Sequence, residues 1–122
     1  MKIILTIIIL ITFASCYYDS KEYLYPTVNT SCDTLNVTYS VSVKKILSDN
    51  CYGCHSNSTY LSGGGYKLED YADVKTSVDN NKLLPSVTTT NTALRMPKGG
   101  PPLSSCSIKI LTIWINAGAL NN

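Results

Sequence analysis

Cys51-Tyr52-Gly53-Cys54-His55 is the stretch on which the reading of this 122-residue chain turns. Two cysteines separated by two residues and followed at once by histidine form the attachment pattern of a c-type haem. The spacing has a chemical reason. Each thiol adds across one haem vinyl group, and a single turn of backbone sets both sulfurs along one edge of the porphyrin. The next residue is then held beneath the iron, where its imidazole is the proximal ligand. Glycine at position 53 keeps the inside of that turn free of a side chain. A structural zinc site would need four tetrahedral ligands, but the chain has one histidine and no second close cysteine pair. A thioredoxin-like redox pair would need a βαβ context, and no such pattern surrounds the motif.

Working outward, the remaining chemistry follows from scarcity. With His55 used, no second histidine exists, so a bis-histidine iron within one chain is excluded. The chain has two methionines, Met1 and Met96. Met1 leaves with a cleaved leader, which makes Met96 the candidate for the distal thioether. It sits in Arg95-Met96-Pro97-Lys98-Gly99-Gly100-Pro101-Pro102, where proline and glycine exclude regular helix and strand. The alternative role for Met96 is to fill a gap in the core. The five cysteines divide under one scheme. Cys51 and Cys54 take the haem, Cys16 ends a leader, and Cys32 and Cys106 remain for one disulfide, a bond that exported proteins can hold.

Residues 1–16 read as a secretory leader. Lys2 supplies the positive start, and the apolar run Ile3 to Phe13 is too short to span a bilayer. Ala14-Ser15-Cys16 resembles a bacterial lipobox, in which Cys16 is lipidated and becomes the new N-terminus. Phe13 stands where that box usually has leucine. An ordinary cleaved signal and an uncleaved anchor are the alternatives. Residues 17–36, rich in tyrosine and without a sustained period, read as an extended tether. Residues 37–122 form the domain. Removing Lys2 from the ten basic residues leaves nine against eight acidic ones, a net charge of +1. That balance argues against a nucleic-acid partner, which needs a basic stripe.

Within the domain, Tyr39, Val43, Ile46 and Leu47 share one helical face. The spacing predicts a helix capped by Ser40 and ending near Asn50, although Val41 and Val43 also fit a strand. Residues 56–66 read as loop, with Gly63-Gly64-Gly65 marking a close backbone approach. A short helix is expected at 69–79, stopped by Asn80-Asn81. Residues 82–104 are expected to be mostly irregular, with a brief turn from Thr88-Thr89-Thr90 through Ala93 and Leu94. Ser105 to Ala117 is apolar nearly all round, which predicts a helix buried on several sides, with Ser104 as N-cap and Gly118 just past its end.

The haem motif, the Met96-Pro97 pair downstream and a closing apolar helix with Trp114 together resemble a small class I cytochrome c domain. The likeness covers roughly residues 37–118. It is closer to bacterial lipoproteins with one such domain, marked by a tyrosine-rich lead-in and by cysteines before the first helix and at the start of the last. The chain departs from the pattern in the glycine run after the motif and in having little helix between Lys82 and Ser104. The resemblance implies an all-α fold in which the first and last helices cross near a single haem c. It also implies electron transfer, with Cys51 and Cys54 as covalent attachments and His55 and Met96 as axial iron ligands. A redox protein would be the partner, a lipid anchor the link to a membrane, and the cell envelope the location, facing the periplasm or the cell surface. No small-molecule substrate is expected. Two other readings stay open: a haem-based small-gas binder or sensor, and an accessory haem lipoprotein of a larger complex. An enzyme is disfavoured, because no second histidine remains to act as a distal base.

Overall fold

The structure is a computed structural model, and it describes residues 32–122, which form one compact unit. The leader, Cys16 and most of the tether lie outside the described residues. The described residues are helical and contain no strand. A π-helical turn over Tyr39–Val43 runs directly into α1 (Lys44–Asn50). After Cys51 come α2 (Tyr52–His55), α3 (Tyr71–Asp79), α4 (Leu83–Thr88) and α5 (Ser105–Asn116).

The first helical segment buries the face that its spacing predicts: Tyr39, Val43, Ile46 and Leu47 are all in the core. Its cap is not Ser40. Thr38 takes that place in an extended conformation, and its hydroxyl accepts a hydrogen bond from the Val41 amide at 3.4 Å. Two further amides at this end are satisfied from the far end of the chain. Tyr39 N–H donates to Asn122 Oδ1 at 2.8 Å and Ser40 N–H to the Asn122 backbone oxygen at 2.9 Å. Helix starts leave several such donors orphaned, so this pairing removes a desolvation cost that the local sequence leaves open.

Both stop signals work through left-handed residues. Asn81 (φ 53°) follows α3, with its own N–H on Val78 O at 2.8 Å and Lys82 N–H on Ser77 O at 2.9 Å. Gly118 (φ 97°) follows α5, with its N–H on Ile115 O at 3.0 Å and Ala119 N–H on Trp114 O at 2.9 Å. Each is the paired-bond helix ending known as a Schellman motif. At the start of α5, Ser104 Oγ accepts from the Ser107 amide at 3.0 Å, as its position predicts.

The region 82–104 is less irregular than expected, because Leu83–Thr88 is α4. Pro85 lies in its first turn, where the missing N–H has no intrahelical partner to lose. Leu83 and Val87, one turn apart, are both buried. A helix this short draws its stability from that burial rather than from propensity. The helix expected at 69–79 begins at Tyr71. In α5 only Leu111 and Trp114 are fully buried, while Ile108, Ile110 and Ile115 are half-buried against the core.

The first and last helical segments meet at an aromatic cluster. The Tyr39 ring lies 5.6 Å from that of Trp114 and 5.0 Å, edge-on, from that of Tyr71. Such pairs add about 0.5–1.5 kcal/mol each beyond area burial. Trp114 Nε1 donates to Leu120 O and the Tyr71 hydroxyl to Ala119 O, both at 2.9 Å, so the chain end is tied to this cluster. The Tyr39 hydroxyl has no partner among the described residues, and burial pushes its pKa up to about 12. At the other end of α5, Cys32 and Cys106 form a disulfide with their Cα atoms 5.4 Å apart, within the ordinary bridging range. It holds the last residues of the tether region to the first turn of α5.

Candidate functional site

Cys51 closes α1, with its N–H on Leu47 O at 2.8 Å, and its own carbonyl starts the next turn. Cys54 N–H and His55 N–H both donate to Cys51 O, at 3.1 and 2.9 Å. The motif is therefore one turn of helix, and the side chains of Cys51, Cys54 and His55 leave the backbone from that turn. Cys51 and Cys54 are free cysteines; Cys51 is half-buried and Cys54 exposed. Burial pushes the Cys51 thiol up to about 11.

The glycine run after the motif is folded against His55. Residues 60–65 form a tight turn in which Gly63 N–H and Gly65 N–H both reach Tyr60 O at 3.0 Å. Gly64 and Gly65 have φ of 70° and 84°, the left-handed region that glycine enters freely. Gly63 faces a different constraint. A Cβ there would stand 2.5 Å from both the Cys54 carbonyl oxygen and His55 Nδ1. The close approach read from the three glycines is thus an approach to the histidine ring. Gly53 is the reverse case, since a Cβ there would meet no protein atom within 4 Å.

The turn delivers the Tyr66 carbonyl oxygen to 3.0 Å from His55 Nδ1. A carbonyl only accepts, so Nδ1 carries the proton. In the neutral ring, Nε2 is then the nitrogen whose lone pair faces away from this bond and can serve a metal. The hydrogen bond fixes both tautomer and ring direction, the usual service of an outer partner to a ligating histidine. Leu68 N–H on His55 O at 2.8 Å closes the loop behind the ring.

A cavity of about 840 Å³ opens beside the motif, large enough for a sizeable cofactor. Cys51, Cys54 and His55 line it, and so does Met96, 41 residues beyond His55 (96 minus 55) in sequence. The buried side chains of Leu68, Leu83, Val87 and Leu103 supply its apolar wall. Met96 is half-buried, and its N–H donates to Ser86 O at 2.9 Å. That bond ties the methionine loop to α4, the helix the sequence did not announce. Asn91 shapes the loop before it: its side-chain oxygen accepts from Ala93 N at 3.0 Å, and its carbonyl accepts from Leu94 and Arg95.

No family model, curated protein or solved structure matches this chain. The chemistry is therefore carried by the site itself. Of the residues singled out in the sequence, Cys51, Cys54, His55 and Met96 share one cavity, Cys32 and Cys106 are joined elsewhere, and Cys16 lies outside the described residues. Sequence reasoning did not assign Tyr66 to the site. It acts through its backbone carbonyl, so its side-chain identity carries no signal. Among the described residues, no group of three or more His, Cys, Asp or Glu side chains could hold a metal ion alone. No helix among them is long and apolar enough to cross a membrane.

Proposed function

We propose that the chain is an electron carrier that binds one haem c through thioether bonds from Cys51 and Cys54. The observation that carries this reading is the convergence of two free cysteines, a histidine oriented through its Nδ1 and a single methionine on one largely apolar cavity. The donor set fits the group. Two thiols one helical turn apart match the two vinyl attachments, and imidazole with thioether is a cytochrome c axial pair. The bound haem supplies the one-electron change between ferric and ferrous iron.

The chain's own residues do the rest. His55 would hold the iron through Nε2, and the Tyr66 carbonyl would raise its basicity through Nδ1–H. Met96 would hold the iron through its thioether and, as a soft donor, would favour the ferrous state. The apolar wall excludes water and lowers the local dielectric. With His55 and Met96 both holding the iron, little room would be left for a substrate, which favours electron transfer over catalysis. The class I cytochrome c resemblance supports the same assignment. We further propose that the chain is exported and anchored in the cell envelope through a lipid on Cys16, with a redox protein as its partner.

The test is expression of the full chain in a bacterium competent for c-type cytochrome maturation, followed by haem staining on a denaturing gel. The wild-type band should stain, and the Cys51→Ala, Cys54→Ala double variant should not. An unstained wild-type band, or staining that survives in the double variant, overturns the proposal.

A further inference from the structure

Ser77 is the one buried residue of polar type among the described residues. It lines the large cavity, and with Tyr66 and Lys82 it also lines a smaller polar recess of about 270 Å³ that shares this wall. Its hydroxyl behaves unlike others in the helices. Thr76, Ser86 and Thr112 each turn theirs back on a carbonyl of their own helix, the usual local outlet. The Ser77 hydroxyl makes no such bond. Nor is it one of the sealed groups without a partner, which are the Tyr39 hydroxyl and Arg95 Nε. The surface left open on it therefore faces the cavity and the recess that it lines.

A hydroxyl held in a largely apolar wall needs a partner, because leaving it unpaired carries a desolvation cost. The recess supplies one. Asp73 stands one helical turn before Ser77 on α3, and it lines the recess but not the cavity. Its carboxylate forms no ion pair with Lys67 or Lys82, the cations that share the recess. The Lys67 ammonium lies instead over the Tyr60 ring, 4.7 Å from its centre. A water fits between the Ser77 hydroxyl and the Asp73 carboxylate. The recess is polar, has room for it and offers the two partners that a held water requires.

We infer that Ser77 is a positioning residue of the cavity: it holds a water against Asp73 and so lowers the reduction potential of the haem, an inference that rests on the haem reading above. Ser77 O–H donates to the water, and the water donates to the Asp73 carboxylate. A serine oxygen that gives its proton away from the cavity turns its lone pairs, the negative end of the group, toward it. Ferric iron carries one more positive charge than ferrous iron, so that negative end favours the ferric state. The rest of the wall is apolar and screens little, which strengthens the effect. Asp73 acts on the iron through this bridge, from a recess outside the cavity.

The experiment is a redox titration of the full-length holoprotein. Covalent haem is read first by haem stain, so a failure of the haem reading is recorded separately from a failure of the bridge. Variants are Ser77→Ala, Ser77→Thr, Asp73→Asn and the Ser77→Ala, Asp73→Asn double, with Ser48→Ala as a control on an exposed hydroxyl of α1. Ser77→Ala and Asp73→Asn should each shift the equilibrium toward reduced haem by about three- to tenfold, tenfold being about 59 mV for one electron. Ser77→Thr keeps the hydroxyl and should keep the potential. The double variant should shift by less than the sum of the two single ones, because both remove the same bridge. If Ser77→Ala matches Ser48→Ala in potential, or if the two single shifts simply add, the bridge is overturned. A shift of Ser77→Ala toward oxidised haem also overturns it, and shows the hydroxyl bonded directly to a group inside the cavity.

Discussion

His55 Nδ1 and the Tyr66 carbonyl oxygen lie 3.0 Å apart, and Gly63 is the residue that lets them meet. A Cβ at position 63 would press on that same nitrogen at 2.5 Å. Gly63→Ala must therefore displace the ring or the turn. Overpacking of this kind costs about 1–3 kcal/mol, and the urea midpoint of the apoprotein should fall accordingly. Gly53→Ala, with open space around it, should leave the midpoint unchanged or raise it slightly through helix propensity. Equal midpoints for the two variants would remove the close-packing argument.

Met96 decides between an electron carrier and a gas binder. Met96→Ala should keep covalent haem, since Cys51, Cys54 and His55 are untouched. It should bind carbon monoxide in the reduced state and show a lower reduction potential, because the soft ligand is gone. Met96→His should restore six-coordination at a potential below wild type. A wild-type protein that binds carbon monoxide as readily as Met96→Ala, at the same potential, would make Met96 a packing residue and favour the sensor reading.

The bridge between Cys32 and Cys106 closes a loop of 74 residues. Loop-closure entropy alone makes such a bond worth about 4 kcal/mol, a large share of the stability of a small domain. The Cys32→Ser, Cys106→Ser double variant should unfold at markedly lower denaturant. Alkylation of the unreduced holoprotein should modify neither cysteine.

In the protein without haem, the two motif thiols should differ. Cys54 is exposed, whereas burial raises Cys51 to about 11. Iodoacetamide mapped by mass spectrometry should modify Cys54 well before Cys51. The same shift links stability to pH. The folded-state pKa lies above the unfolded value of 9.0, so the unfolded chain releases this proton first. The contribution is fully present below about pH 9 and is lost as pH rises toward 11. Urea midpoints of the apoprotein should fall across that window, and Cys51→Ala should flatten the fall.

Asn122 caps a helix 83 residues upstream by accepting from the Tyr39 amide. Loss of a side-chain cap costs about 0.5–2 kcal/mol. Asn122→Ala should lower the thermal midpoint by an amount in that range, and Ser40→Ala, which removes no cap, should not.

The sequence by itself determined the single turn at Cys51–His55, the helical faces of α1 and α5, and the helix endings at Asn80-Asn81 and Gly118. Each is a local matter of spacing, of a left-handed residue or of a side chain reaching its own backbone. Scarcity narrowed the rest: one histidine and one methionine beyond Met1 leave few possible ligand sets. Only the tertiary structure decided the remainder. The helix α4 exists because Leu83 and Val87 find a core to fill, a fact invisible beside Pro85. Thr38 rather than Ser40 starts the first segment, because Asn122 takes the amides of Tyr39 and Ser40. Tyr66 joins the site through a backbone carbonyl, a group every residue owns. Long-range partners are fixed by packing, and packing depends on every element at once.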